Sequence, residues 1–244
     1  MADVEAYLRQ VIEDWWNHGP LATIHDLVGD VWRSNVARYQ PEERGDDALS
    51  LGIQSARNIC NLAVRRCHDI PGVRVYGGPT LTVHFAGRVL HLGKATPEQS
   101  RDWNIWSIDW SHSDVRDRAA DLNSEAYHPY GDTLFAGLEP EVGDPSALRH
   151  LHLAWQGFVA QAATRVWVGF PQAGSRPWFA VVPLGADGAA GLVPPASPAP
   201  GRRSRRHAVA ELDEFDVPDR QVVTEPRPSG GGDGLGGPGR DAAA

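Results

Sequence analysis

The chain has 244 residues and a formal net charge of −8, with 41% hydrophobic and 22% charged residues. This balance is typical of a globular protein with a polar appendage and excludes a wholly disordered chain. The acidic total argues against generic binding to a phosphate backbone but leaves room for a local basic patch.

Three amphipathic helices are predicted in the first 70 residues. Apolar side chains recur at helical spacing over residues 3–18, 20–39 and 49–68. A polar loop with proline and glycine, residues 40–47, separates the second helix from the third. The inner face of the third helix is predicted to carry Ile53, Ala56, Cys60, Ala63, Val64 and Cys67.

The two cysteines stand seven residues apart in the third predicted helix. At 1.5 Å rise per residue, Cys60 and Cys67 lie about 10 Å apart, too far for a disulfide. We expect two buried thiols in a reducing compartment.

No apolar run is long enough to span a membrane, and no signal-type stretch follows residues 3–5, so a cytoplasmic location is expected. No second cysteine or histidine pair stands at zinc-site spacing. We expect neither a metal nor another cofactor.

From residue 73 onward the apolar period changes from helical to alternating. Residues 81–85 and 89–94 are predicted to form a hairpin around Ala86-Gly87. A two-residue turn would place His84 and His91 on one face, whereas a three-residue loop would shift that register. Both turns remain open at this point.

Residues 103–110 are predicted to be extended, and Ser113 is predicted to cap a helix near residues 114–124. The extended segment is unusually rich in tryptophan. The three indoles indicate either a core built around large side chains or an exposed cluster for a protein partner or a stacked base. These candidate partner-binding residues are Trp103, Trp106 and Trp110.

Residues 148–156 fit both a strand and a helix. We favour a strand, because the predicted strands 164–169 and 178–184 follow at short spacing. His150 and His152 would then share a sheet face, as the histidines of the hairpin do.

Four imidazoles on one sheet face could bind a metal or move protons, which defines the candidate catalytic set His84, His91, His150 and His152. The alternative is that they occupy solvent-facing positions of a one-sided antiparallel sheet. No acidic residue lies near them in the sequence to orient an imidazole. A restriction-type nuclease motif is excluded, since Leu92 stands where an acidic residue should precede Lys94.

The predicted fold class is α+β, with three N-terminal helices packed on an antiparallel sheet of five or six strands. Residues 1–185 form the single predicted domain, helical over 1–70 and mainly sheet over 73–185. Residues 186–244 are rich in glycine and proline and are predicted to be a disordered tail.

The tail carries two short signals. A basic run offers candidate nucleic-acid contacts, which are Arg202, Arg203, Arg205 and Arg206. Segment 210–218 interleaves acidic and apolar residues, and Leu212 and Phe215 would form an apolar ridge on a short helix. We expect this segment to dock on a partner protein or fold back on this chain; the alternative is a solubilising tail.

Two stretches resemble uncharacterised proteins of high-GC bacteria, some of them encoded beside helix-turn-helix regulators of the XRE type. These stretches are residues 51–58 running on to Arg65-Arg66, and residues 167–171 with 177–179. The resemblance implies a component of a two-gene module of toxin–antitoxin or phage-regulatory kind, with a helix-turn-helix regulator as a partner. It transfers no catalytic residue.

The sequence therefore predicts an interaction or regulatory protein with a protein partner. Two alternatives remain: a hydrolase or nuclease that uses the sheet histidines, and an accessory protein that binds nucleic acid through the arginines of the tail.

Overall fold

The computed structural model describes residues 2–78, 80–95, 104–128 and 143–185. The described helices are α1 (Ala2–Asn17), α2 (Leu21–Val36), α3 (Pro41–Arg44), α4 (Ala48–Arg66) and α5 (Asp114–Tyr127). The described strands are β1 (Arg74–Tyr76), β2 (Leu81–Phe85), β3 (Arg88–Lys94), β4 (His150–Phe158), β5 (Ala163–Pro171) and β6 (Trp178–Leu184). The predicted α+β class is confirmed. The predicted tail, residues 186–244, lies outside the described residues.

The long N-terminal helices α1, α2 and α4 occupy the positions that the apolar spacing predicts. Within the predicted polar loop the structure adds the single turn α3, so the prediction of three helices before the sheet is wrong by one. Gly45 ends α3 in the left-handed conformation, with φ of 70°. Asp47 then begins α4, since its carboxylate accepts a hydrogen bond from the Ser50 backbone N–H at 2.6 Å. No helix among the described residues is long and apolar enough to cross a membrane.

The two cysteines are buried and free, as predicted.

The prediction for Ile53 is wrong: its side chain is 49% exposed rather than on the inner face of α4. Leu49, one turn earlier, is 65% exposed. Strand residues approach α4 elsewhere, where the Lys94 side chain lies near Gly52 and Val64 lies near Gly77.

The six described strands form one sheet in the order β1-β2-β3-β4-β5-β6. Four neighbouring pairs are antiparallel, but β3 and β4 are parallel. The prediction of a wholly antiparallel sheet is therefore wrong, and the sheet is mixed. The physical reason is the connection, because a chain that returns to a neighbouring strand through a helix, here α5, enters it in the same direction.

The β2–β3 hairpin has the two-residue turn. Val83 pairs with Leu90, and Ala86 and Gly87 both have positive φ, 48° and 71°. Positive φ at both central residues matches the strand twist of a tight hairpin. The favoured interpretation of residues 148–156 as a strand is also confirmed by β4.

Both faces of the sheet are packed. The face toward α1, α2 and α4, called here the helix face, carries the larger core, with Leu90, Leu153 and Trp155 among its buried residues. The opposite face, called the histidine face, carries a smaller core around Trp110 and Trp178. Helix α5 packs on this second face, against β4 and β5.

The segment predicted to be extended over residues 103–110 instead forms two 3₁₀ turns, Ile105–Ser107 and Trp110–His112. Asn104 and Asp109 cause them, since each side chain accepts the backbone N–H two residues ahead, at 2.8 and 2.9 Å. The high tryptophan content of the segment favoured an extended prediction, and this turn signal was overlooked. Ser113 precedes α5 as predicted, but its side chain makes no capping hydrogen bond.

Candidate functional site

The histidine face carries two rows of side chains that cross four neighbouring strands. Strand pairing aligns the residues of each row side by side, so that they point to the same side of the sheet. The first row is Arg74, His84, Val89 and His150, and the second is Tyr76, Thr82, His91 and His152. The prediction that the four histidines share one face is therefore confirmed.

Burial increases along the rows from the edge strand toward the middle of the sheet. His84 is exposed and His150 is half-buried, whereas His91 is 6% and His152 only 2% exposed. The hypothesis that all four histidines face solvent is therefore wrong, because α5 and the turn at Trp110 cover the β4 side. We call the accessible set Arg74, Tyr76, Thr82, His84 and His150 the open patch.

His91 and His150 form a close pair on adjacent parallel strands. His91 Nε2 lies 3.4 Å from His150 Nδ1, and the rings are nearly parallel, with centroids 5.7 Å apart. The other ring nitrogen of His91, Nδ1, is buried and has no hydrogen-bond partner among the described residues. A buried polar atom in this state costs about 1–3 kcal/mol.

His152 lies below the aromatic cover. The Trp110 ring meets it edge-on at 4.9 Å, and Trp110 Nε1 donates to the Pro177 carbonyl at 2.7 Å. Trp110 is only 5% exposed and Trp106 is half-buried, so the described indoles form no exposed cluster. Trp110 is thus a core residue, while Trp103 lies outside the described residues.

Arg116 of α5 reaches the histidine face at Gly93. A Cβ atom added to Gly93 would lie 2.9 Å from Arg116 Cζ and 3.0 Å from His152 Cε1. Only a glycine leaves room there for the guanidinium. Neither residue is among the site residues predicted from the sequence; the available signal was a glycine inside a strand, which marks a close approach of another group to the backbone.

Asn123 of α5 positions the first residue of β4. Its amide donates to the carbonyls of His150 and Pro171 at 2.8 and 3.1 Å. Its carbonyl oxygen accepts from the backbone N–H groups of Arg149 and His150 at 3.2 and 3.0 Å. This buried residue was also missed, since nothing in the sequence distinguishes it from a surface asparagine.

Burial and mutual repulsion keep the inner histidines neutral at pH 7. Burial first, then His150, His84 and Arg116, lower the pKa of His91 to about 4. Burial and Arg116 hold the pKa of His152 well below 6.5, and burial and His84 lower that of His150. At pH 7 the positive charge of the histidine face therefore comes from Arg74 and Arg116, and each neutral imidazole offers one N–H donor.

No described carboxylate forms an ion pair with any of these four histidines; the described histidine ion pairs involve His18, His25 and His112. In the same part of the chain, no group of three or more histidine, cysteine or acidic side chains could hold a metal ion. The arrangement lacks the acid that would orient an imidazole for catalysis and instead suits an anion.

The remaining candidates from the sequence fall outside the described residues: Arg202, Arg203, Arg205, Arg206, Leu212 and Phe215. No family model, curated protein or solved structure matches this chain.

Proposed function

We propose that this protein is a regulatory binding protein that takes up a phosphate-bearing anion on the open patch. The observation that supports this function is the first row, where Arg74, His84 and His150 share one side of the sheet. Neither row contains an aspartate or a glutamate. A chain with a net charge of −8 thereby presents a local surface of hydrogen-bond donors around the positive charge of Arg74.

The chemistry of these groups suits phosphate oxygens. A guanidinium offers planar, permanently charged donors, and an imidazole offers one N–H when neutral and two when protonated. Arg116 adds positive charge next to His152 without belonging to the open patch. A bound anion would favour protonation of His150, whose pKa is lowered in the free protein by burial and by His84.

Hydrolysis by the histidines is the second candidate function. The His91–His150 pair favours it, because a neutral imidazole within 3.4 Å of another can accept a proton from a nucleophile. Catalysis is disfavoured because no aspartate or glutamate among the described residues forms an ion pair with these histidines. We therefore rank binding above catalysis.

The regulatory role rests on the resemblance to proteins encoded beside helix-turn-helix regulators. Such a regulator is the partner we propose, with Leu212 and Phe215 of the tail as its contact residues. A Leu212→Ala/Phe215→Ala double variant should then lose capture of the regulator without a change in thermal stability. Unchanged capture would exclude this use of the tail.

The test of the ligand is calorimetric titration of the full chain with inorganic pyrophosphate at pH 7. Arg74→Gln and His84→Gln each remove one charged or polar contact, and we expect about fivefold weaker binding for each. Arg57→Gln, an exposed arginine on the other side of the sheet, is the matched control. No saturable heat, or equal loss in the control, would reject the proposal.

The same protein is assayed with a chromogenic phosphodiester. Turnover that disappears in His150→Gln, while folding is retained by circular dichroism, would place hydrolysis above binding.

A further inference from the structure

We infer that the ligand of the open patch is a nucleotide unit, with its base on Tyr76 and its phosphate between Arg74 and His84. The inference rests on the proposed function and names the class of ligand. A nucleotide requires one feature that phosphate alone does not, namely a surface on which its flat base can stack.

Tyr76 has the position that such a ring requires. It lies on the edge strand β1 and is 53% exposed, so a large part of the residue is accessible to solvent. Its ring packs edge-on against His84, with centroids 5.2 Å apart and an interplanar angle of 73°. This contact orients the phenol ring and directly joins the aromatic group to the first row.

An exposed tyrosine beside a cationic side chain on an open sheet is a common arrangement for stacking a base. The aromatic ring supplies stacking that tolerates any base, and the cation, here Arg74, supplies a phosphate contact. Tyr76 and Arg74 are two residues apart on one face of β1, a separation of roughly 7 Å. A single nucleotide can therefore reach both side chains.

The dimensions of the patch limit the ligand. From Arg74 to His150 the first row crosses three strand spacings, roughly 14 Å. This length accommodates a free nucleotide or a few nucleotides of a single strand. Since the chain as a whole is acidic, a duplex with phosphates along both strands is disfavoured.

The experiment compares three probes on the full chain by calorimetry: inorganic pyrophosphate, adenosine 5′-diphosphate and a single-stranded tetranucleotide. Adenosine diphosphate should bind about tenfold more tightly than pyrophosphate. Tyr76→Leu should lower the affinity for adenosine diphosphate to that for pyrophosphate, whereas Tyr76→Phe should retain the difference. Leu49→Ala, an exposed apolar residue on α4, is the matched control and should change neither affinity.

The outcomes separate this inference from the proposed function. Pyrophosphate binding with no gain for adenosine diphosphate overturns the inference and leaves the anion site standing. Absence of binding by all three probes overturns both. A higher affinity for adenosine diphosphate that depends on Tyr76 supports base recognition. The ligand is then a single strand if the tetranucleotide binds most tightly, and a free nucleotide if adenosine diphosphate binds most tightly.

Discussion

Asn123 holds His150 by both of its backbone polar groups, accepting from its N–H at 3.0 Å and donating to its carbonyl at 2.8 Å. A helix side chain thereby fixes the start of the strand that completes the histidine face. The site depends on this contact, because a shift of β4 would separate His150 from His91. The position of the histidines thus depends on a residue that has no chemistry of its own in the site.

Asn123→Ala should lower the free energy of unfolding by about 2–4 kcal/mol, since four backbone groups would lose their partner. Urea unfolding measures the change. Asn61→Ala, an exposed asparagine on α4, should stay within about 0.5 kcal/mol of the wild type. Equal small effects in both variants would show that water replaces the asparagine without loss.

Gly93→Ala should displace the Arg116 guanidinium and press on His152, because the added Cβ would lie within 3.0 Å of both side chains. We expect a loss of about 1–2 kcal/mol in a thermal melt. Gly29→Ala on α2 is the control, since its nearest neighbour lies at 3.9 Å. That variant should be neutral or more stable, because alanine favours the helix. An unchanged melting temperature for Gly93→Ala would mean that Arg116 moves away at no cost.

Acid should destabilise the protein before its carboxylates titrate. Burial, with His150, His84 and Arg116, lowers the pKa of His91 from 6.5 to about 4. Between these values the unfolded chain binds a proton that the folded chain excludes. Stability is therefore complete above pH 6.5 and falls as the pH drops toward 4, by about 3 kcal/mol for His91. The lowered pKa of His152 acts in the same direction.

Urea unfolding at pH 7, 6 and 5 measures this slope. His91→Gln should flatten it, whereas His68→Gln, an exposed histidine, should leave it unchanged. Hydrogen bonds from serines are the main cause that lowers the pKa values of three carboxyl groups, those of Asp47, Asp109 and Asp144. Their contribution to stability is therefore lost only at lower pH. A slope that His91→Gln does not alter would assign the acid sensitivity to other groups.

Both thiols should react slowly with an alkylating reagent in the folded protein. Burial raises the pKa of Cys60 and raises that of Cys67 to about 11, so few thiolates form at neutral pH. Cys60→Ser and Cys67→Ser should each lower stability by about 1–3 kcal/mol, because a buried hydroxyl needs a partner. Rapid labelling at pH 7 without denaturant would contradict burial of the thiols.

Local pattern was sufficient for much of the fold. Apolar spacing located α1, α2, α4 and the strands, and the Ala86-Gly87 dipeptide located the hairpin turn, although the register of the hairpin stayed open. The alternation in β4 placed His150 and His152 on one side of that strand. These features depend on neighbours along the chain, where side-chain periodicity and turn chemistry act.

Only the tertiary structure decided which histidines are buried and what surrounds them. Periodicity shows which side of a strand is polar, but it does not show whether a distant helix covers that side. The parallel pairing of β3 with β4, the approach of Arg116 to Gly93 and the bonds of Asn123 all join segments separated along the chain. These three features are determined by how α5 packs on the sheet. In the sequence, a polar residue of α5 that contacts the sheet looks the same as one that faces solvent, and only the packing distinguishes the two.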